Sequence, residues 1–233
     1  MKKNLRTIFL SLSLVLAAMA HWSCEGDGYG DSSFSKSFIT DFVYPDTLEI
    51  FCHEMESDTI SVALRLKGSY YVSNPASKRL EDWDKERREQ LFDSLIAQYG
   101  DTTYNEYIHI EGNEALANPI DSISIVSDAD YDENHIAGTD LSDLAVFCGY
   151  VYGSYVSHGY PNDQRYREYY DDLDFYIKKP LSKFRPEDYY LWRDWTFSLK
   201  FSKPTLSQKH HITFTFVTGG KTFKVTEELD FSK

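Results

Sequence analysis

The chain has 233 residues, with 37 Asp and Glu against 24 Lys and Arg, so its formal net charge at neutral pH is -13. A charge of that sign repels phosphate backbones and anionic headgroups, which argues against nucleic-acid binding and leaves no electrostatic route to a membrane surface. Hydrophobic residues make up 42% and aromatic ones 16%, enough for a packed core and too much for a disordered chain.

The first element is an export signal. Lys2, Lys3 and Arg6 precede the apolar run Ile8 to Ala20, the basic-then-apolar pattern of a secretory leader. The run falls short of the roughly 20 apolar residues that a spanning helix needs, so it is expected to be removed. His21-Trp22-Ser23-Cys24 then places a cysteine after a small residue at the boundary. Acylation of Cys24 would make residues 1–23 the signal peptide, whereas Ala18-Met19-Ala20 offers an ordinary cleavage site. Loss of three basic residues leaves 21 basic against 37 acidic, a net charge of -16, so any membrane attachment falls to the lipid.

Residues 24–37 are rich in Gly, Asp and Ser and are expected to be a flexible tether. Residues 38–233 are read as a single β-rich domain, long enough for a sizeable core. Phe38 to Tyr44, Thr47 to Met55 and Thr59 to Val72 gather β-branched and aromatic residues between the breaks Pro45-Asp46 and Ser57-Asp58, which predicts strands. One helix is expected over 83–99, where Trp83, Leu91, Phe92, Leu95, Ile96 and Tyr99 recur at helical spacing and Gly100 ends the pattern.

Tyr104 to Ile110, Ile120 to Ser127 and Leu144 to Tyr152 are further strand candidates. Trp195, Phe197, Leu199 and Phe201 alternate with polar residues, and Ile212, Phe214 and Phe216 repeat the alternation before Gly219-Gly220 turns the chain into Lys221 to Phe231. Many short strands with one inserted helix predict an antiparallel β-sandwich, plausibly immunoglobulin-like.

The lipobox at Cys24, the segment Ile120 to Asp143 and the hairpin Trp195 to Phe231 together resemble a Bacteroidota lipoprotein family with a domain of unknown function. That resemblance implies an outer-membrane lipoprotein on the periplasmic or cell-surface face, with Glu25 and Asp27 similar to an acidic signal for the outer face. It implies no activity.

No catalytic signature emerges. Gly220-Lys221-Thr222 lacks the first glycine of a phosphate loop and joins two strands, and Ser33-Phe34-Ser35-Lys36 lies in the expected tether. His210-His211 are adjacent in a strand and point to opposite faces. Asp128, Asp130, Asp132 and Asn134 suit a hard cation, but an EF-hand-like loop would want Gly at 133 and Glu at 139, where Glu133 and Thr139 stand, so a solvated acidic turn is expected. Neither a metal nor a cofactor is expected.

Residues 150–195 hold ten of the 18 tyrosines. Tyr160, Tyr166, Tyr169, Tyr170 and Trp192 are therefore the candidate ligand-binding residues, for a glycan or a protein partner, with burial under a long loop as the competing account. Cys52 and Cys148 either form an inter-sheet disulfide or are two separate small apolar residues. The expected function is a non-catalytic binding or accessory module of a surface or periplasmic assembly; the alternative is a structural or adhesive component that assembles through β-strands.

Overall fold

The computed structural model describes residues 32–68, 70–74, 85–109, 113–160, 175–183, 185–186, 190–193 and 196–232. Cys24, Tyr166, Tyr169 and Tyr170 lie outside the described residues, as do Trp83 and Trp195. The fold is mainly β, in sheets that are largely antiparallel.

Two sheets form the sandwich. The larger has β3 (Thr47–Met55), β4 (Thr59–Lys67), β9 (Ala145–Tyr150), β10 (Tyr176–Pro180) and β11 (Thr196–Ser202) in the order β10-β9-β11-β4-β3, antiparallel throughout. The smaller has β8 (Ile120–Ser127), β12 (Lys209–Thr218) and β13 (Lys221–Asp230) in the order β13-β12-β8. This order defines a sandwich; it does not single out immunoglobulin-like connectivity.

Side-chain alternation explains why the two sheets face each other. Ile60, Val62, Leu64 and Leu66 of β4 and Phe197, Leu199 and Phe201 of β11 are buried against Ile123 and Ile125 of β8 and Ile212, Phe214 and Phe216 of β12. Period-two burial of this kind is what a sheet with one covered face requires. Gly219 and Gly220, at φ 55° and 74°, make the hairpin turn between β12 and β13.

A second core sits beside the sandwich. It gathers Phe38, Ile39, Phe42, Val72, Phe92, Leu95, Ile96, Tyr152 and Val156 around α1 (Lys85–Tyr99), α2 (Gly153–Ser157) and a small sheet of β2 (Asp41–Tyr44), β5 (Tyr70–Ser73) and β7 (Glu114–Leu116). The stretch Thr59 to Val72, expected as one strand, is thus two strands that serve different sheets, since Gly68 passes so close to the Tyr44 carbonyl that a Cβ would meet it at 2.1 Å.

Helix α1 ends as its sequence predicts. Gly100, at φ 72°, donates its N–H to the Ala97 carbonyl, and Asp101 donates to that of Ile96. These paired bonds form a Schellman motif, and the positive φ is why glycine stands there. The motif delivers Asp101 into the second core. Its carboxylate accepts hydrogen bonds from the Phe38 N–H (2.8 Å), the Ile39 N–H (2.8 Å) and the Tyr160 hydroxyl (2.6 Å).

Two expectations are corrected here. Residues 32–37, expected within a flexible tether, are structured: β1 (Ser32–Ser35) pairs with β6 (Glu106–His109), and Ser35 and Ser37 are buried with their hydroxyls bonded to the backbone. Hydrogen bonding, rather than aliphatic burial, orders this stretch, and composition does not report it. The inter-sheet disulfide is also absent: Cys52 and Cys148 are free. They share one sheet, in the row Cys52↔Ala63↔Ser198↔Cys148. Three strand spacings put them about 14 Å apart, twice the roughly 7 Å that a disulfide can bridge.

Two outcomes follow from this packing. Asp101→Asn leaves at least one buried donor facing an amide N–H, and is expected to lower stability by about 1–3 kcal/mol, read as a fall in urea midpoint at unchanged slope. Cys52 is exposed and Cys148 buried, so a thiol reagent should label Cys52 in the native protein and Cys148 only after denaturation; fast labelling of both would contradict this register.

Candidate functional site

The tyrosine-rich region divides between core and surface. Trp192, a candidate contact residue, is 1% exposed and packs with ring centroids 4.4 Å from Phe147 and 4.7 Å from Phe197. It belongs to the sandwich core, because the strand-like pairing of Val151 with Trp192 turns the indole inward. Tyr160 is half-buried in the second core, edge-on to Tyr104 at 5.2 Å and Tyr155 at 5.6 Å, and its hydroxyl donates to Asp101. Neither residue is placed to contact a ligand through an open ring face.

A cleft of about 370 Å³ opens where α2 meets β10, within the usual size of a small-ligand site, roughly 300–1,000 Å³. Val151, Ile177 and Tyr190 give it apolar walls, and Ser154, Ser157, His158 and Lys179 give it polar groups. Close packing fixes its shape. The Tyr190 hydroxyl donates to the Gly153 carbonyl at 2.8 Å, and a Cβ on Gly153 would lie 2.8 Å from the Tyr190 ring, so α2 requires glycine there. Leu191, next in the chain, is buried at φ 53°, a conformation costly for a side chain of that size and held by the packing around it.

Hydrogen-bond accounting tells what this cleft can do. His158 Nδ1 lies 2.7 Å from the Ser154 carbonyl, which only accepts, so Nδ1 carries the proton and donates. Ser154 and Ser157, with Oγ atoms 3.5 and 3.4 Å from the same nitrogen, therefore cannot pass a proton to it. His158 Nδ1 is therefore not a base for either hydroxyl.

The other face of β10 carries the exposed ring of Tyr176 beside the half-buried ring of Tyr150. Tyr176 stands opposite Tyr150 in register, with centroids 5.3 Å apart and an edge-to-face tilt, and the Arg193 guanidinium lies 5.4 Å from the Tyr150 ring centre. Desolvation, then a hydrogen bond with the Cys148 thiol, pushes the Tyr176 hydroxyl up to about 12. Sequence reading missed Tyr150, Tyr176, His158, Tyr190 and Arg193. The available signal was that adjacent strand residues point to opposite faces, so the Tyr150 ring lies away from the core that Val151 joins.

Two other polar clusters prove structural. Ser127 Oγ lies 2.6 Å from His210 Nδ1, while His210 Nε2 donates to the Ser207 carbonyl at 2.9 Å. The geometry is that of a serine and its base, but both residues are at most 2% exposed, and the rings of Tyr131 and Phe231 pack against the imidazole. His211 faces outward and pairs with Asp128 at 2.8 Å, so the two histidines do point to opposite faces.

In the acidic loop, Asp130 accepts from the Ala137 N–H, and Asp132 accepts from the N–H groups of Asn134 and His135. The Asp side chains fold the turn. Among the described residues no group of three or more His, Cys, Asp or Glu side chains is placed to hold a metal ion.

His135 is clamped in that loop. Its Nδ1 lies 2.7 Å from Asp132 and its Nε2 3.0 Å from Asp143, so two acceptors face the two ring nitrogens and favour the doubly protonated ring. The hydrogen bond to Asp132 first, then that to Asp143, raises the imidazole above its ordinary value, while the same bond lowers Asp132. A base raised on folding contributes stability that is complete below its unfolded value, near 6.5, and is lost as pH rises through the folded one.

Compared with models of protein families, with curated proteins and with solved structures, the chain matches none.

The clamp yields a measurable pH dependence. The His135 ring resonance should titrate above the ordinary histidine value, and Asp143→Asn should move it down. Thermal stability should fall as pH rises above about 6.5, and His135→Gln should flatten that fall. A His135 midpoint at or below the ordinary histidine value would contradict the clamp.

Proposed function

We propose that this chain is an exported lipoprotein, anchored in the outer membrane through Cys24, whose sandwich domain is a non-catalytic binding module with the β10 edge as its contact surface. The anchor is supported by the basic-then-apolar leader and by the cysteine at its boundary. Among the described residues no helix is long and apolar enough to cross a membrane.

The observation that carries the binding reading is the cleft beside β10. It has apolar walls, hydroxyl and ammonium groups, and an imidazole already committed to a backbone carbonyl. Such a site favours holding over reacting. The β3 edge is the place to look for the strand-assembly alternative, since Phe51 there is 67% exposed. However, β3 is bulged between Ile50 and Cys52 and carries exposed Glu49 and Glu54, features that keep edge strands from pairing. The binding reading is therefore the better supported of the two.

Both halves of the proposal are testable. Cys24→Ala is expected to move the protein from washed membranes to the soluble fraction, because the acyl chains contribute about 0.8 kcal/mol per buried CH₂ and the acidic domain adds nothing comparable; retention in the membrane would refute the anchor. For the module, the purified full chain is passed over immobilised neutral and carboxylated polysaccharides. Ser157→Trp, which fills the cleft from its rim, should abolish retention at unchanged melting temperature, and retention undiminished by it would place binding elsewhere.

A further inference from the structure

Basic residues gather at the β10 edge, between the acidic segments that end at Asp174 and begin at Glu187. From residue 175 to 186 there are four basic residues, Lys178, Lys179, Lys183 and Arg185, and no acidic one, in a chain where acidic residues outnumber basic ones 37 to 24. All four are exposed. The edge position of β10 in its sheet sets them on the rim of the molecule.

Register places part of this charge beside the Tyr176 and Tyr150 rings. Tyr176 and Lys178 are two residues apart on one strand and so share the outer face, opposite Tyr150 and Cys148 of β9. Arg193 lies over Tyr150 on that same face. Beyond Cys148, the row that holds Lys178 continues through Ser198 and Ala63. Lys179, one residue on, turns the other way and lines the cleft with Ile177 and His158. One strand thus presents cations on both of its faces, with aromatic rings on one and a cleft on the other.

Resting on the binding-module reading, we propose that this edge recognises an acidic polysaccharide, a polymer of sugars bearing carboxylates. Each part of the site meets one part of such a ligand. The Tyr176 ring, 40% exposed and edge-on to Tyr150, offers an apolar surface to the C–H face of a pyranose. Lys178 supplies a charge that attracts carboxylates, and the basic turn after β10 extends the attraction along the chain. A run of acidic side chains such as polyglutamate would be drawn by the same charges but brings no ring face to stack, and a neutral glycan would use the tyrosines and leave the cations idle. Charge complementarity together with stacking selects the acidic sugar polymer.

The test uses the purified full chain and three probes in solution: polygalacturonate, a neutral glucan of similar length, and polyglutamate. Polygalacturonate is expected to bind most tightly and to weaken as salt is raised. Lys178→Glu and Tyr176→Ala should each weaken it by about tenfold, with the melting temperature unchanged in Lys178→Glu, whose side chain is exposed. Equal or tighter binding of the glucan, lost in Tyr176→Ala and indifferent to Lys178→Glu, would overturn the acidic-ligand inference and leave the module reading standing. Polyglutamate binding as tight as polygalacturonate, and untouched by Tyr176→Ala, would overturn it as charge attraction alone. Binding of none of the three would overturn the inference, while retention of the chain on any other immobilised polysaccharide would still uphold the module.

Discussion

A single buried carboxylate ties the smaller core together. Asp101 is fully enclosed and receives three hydrogen bonds, two from the backbone of Phe38 and Ile39 and one from Tyr160. Hydrogen bonds to a charged group contribute roughly 1.5–3 kcal/mol each, yet the carboxyl is held above its ordinary value, with burial as the largest cause. Desolvation therefore outweighs the three donors. Asp101 is better understood as a positioning device than as a source of net stability. It fixes the chain after α1 against the chain before β2, and through Tyr160 it fixes the end of α2. The cleft at α2 and β10 inherits its shape from that arrangement.

The sandwich needs no such device, because apolar alternation on β4, β8, β11 and β12 leaves one way to bury both inner faces. A fully buried Phe or Leu contributes about 1.5–3 kcal/mol, and a one-residue slip would expose a whole row of them. Register is accordingly firm, and the outer face can vary freely. Function is free to sit on that outer face and at the sheet edges, where Tyr150, Tyr176 and Arg193 are found.

What the sequence made legible follows from the same physics. Period-two patterning located β3, β8, β11, β12 and β13, and glycine located the β12–β13 turn and the end of α1, because each of those signals is local. Trp192 misled because an indole in a tyrosine-rich stretch says nothing of which way its strand turns; only the pairing with Val151 decides that. The start of the domain misled because Ser35 and Ser37 are ordered by hydrogen bonds to partners that composition does not reveal. The site was invisible for a third reason: Tyr150 and Tyr176 become neighbours only when β9 and β10 pair, 26 residues apart in the chain.

Basic residues on an edge strand have a second physical use, since Lys and Pro discourage unwanted pairing of an open edge. Lys178, Lys179 and Pro180 on β10 fit that role. Edge protection, however, asks only for charge along the strand. It does not call for a guanidinium over a tyrosine ring, for a second ring in register with the first, or for a cleft on the opposite side. Nor does it distinguish β10 from β3, whose exposed edge is guarded by Glu49, Glu54 and a bulge. Two edges of one sheet protected by opposite charges are equally soluble, so solubility does not choose the sign. The positive sign at β10, in a chain that is otherwise acidic, is the part that edge protection leaves over, and a negatively charged ligand is what would use it.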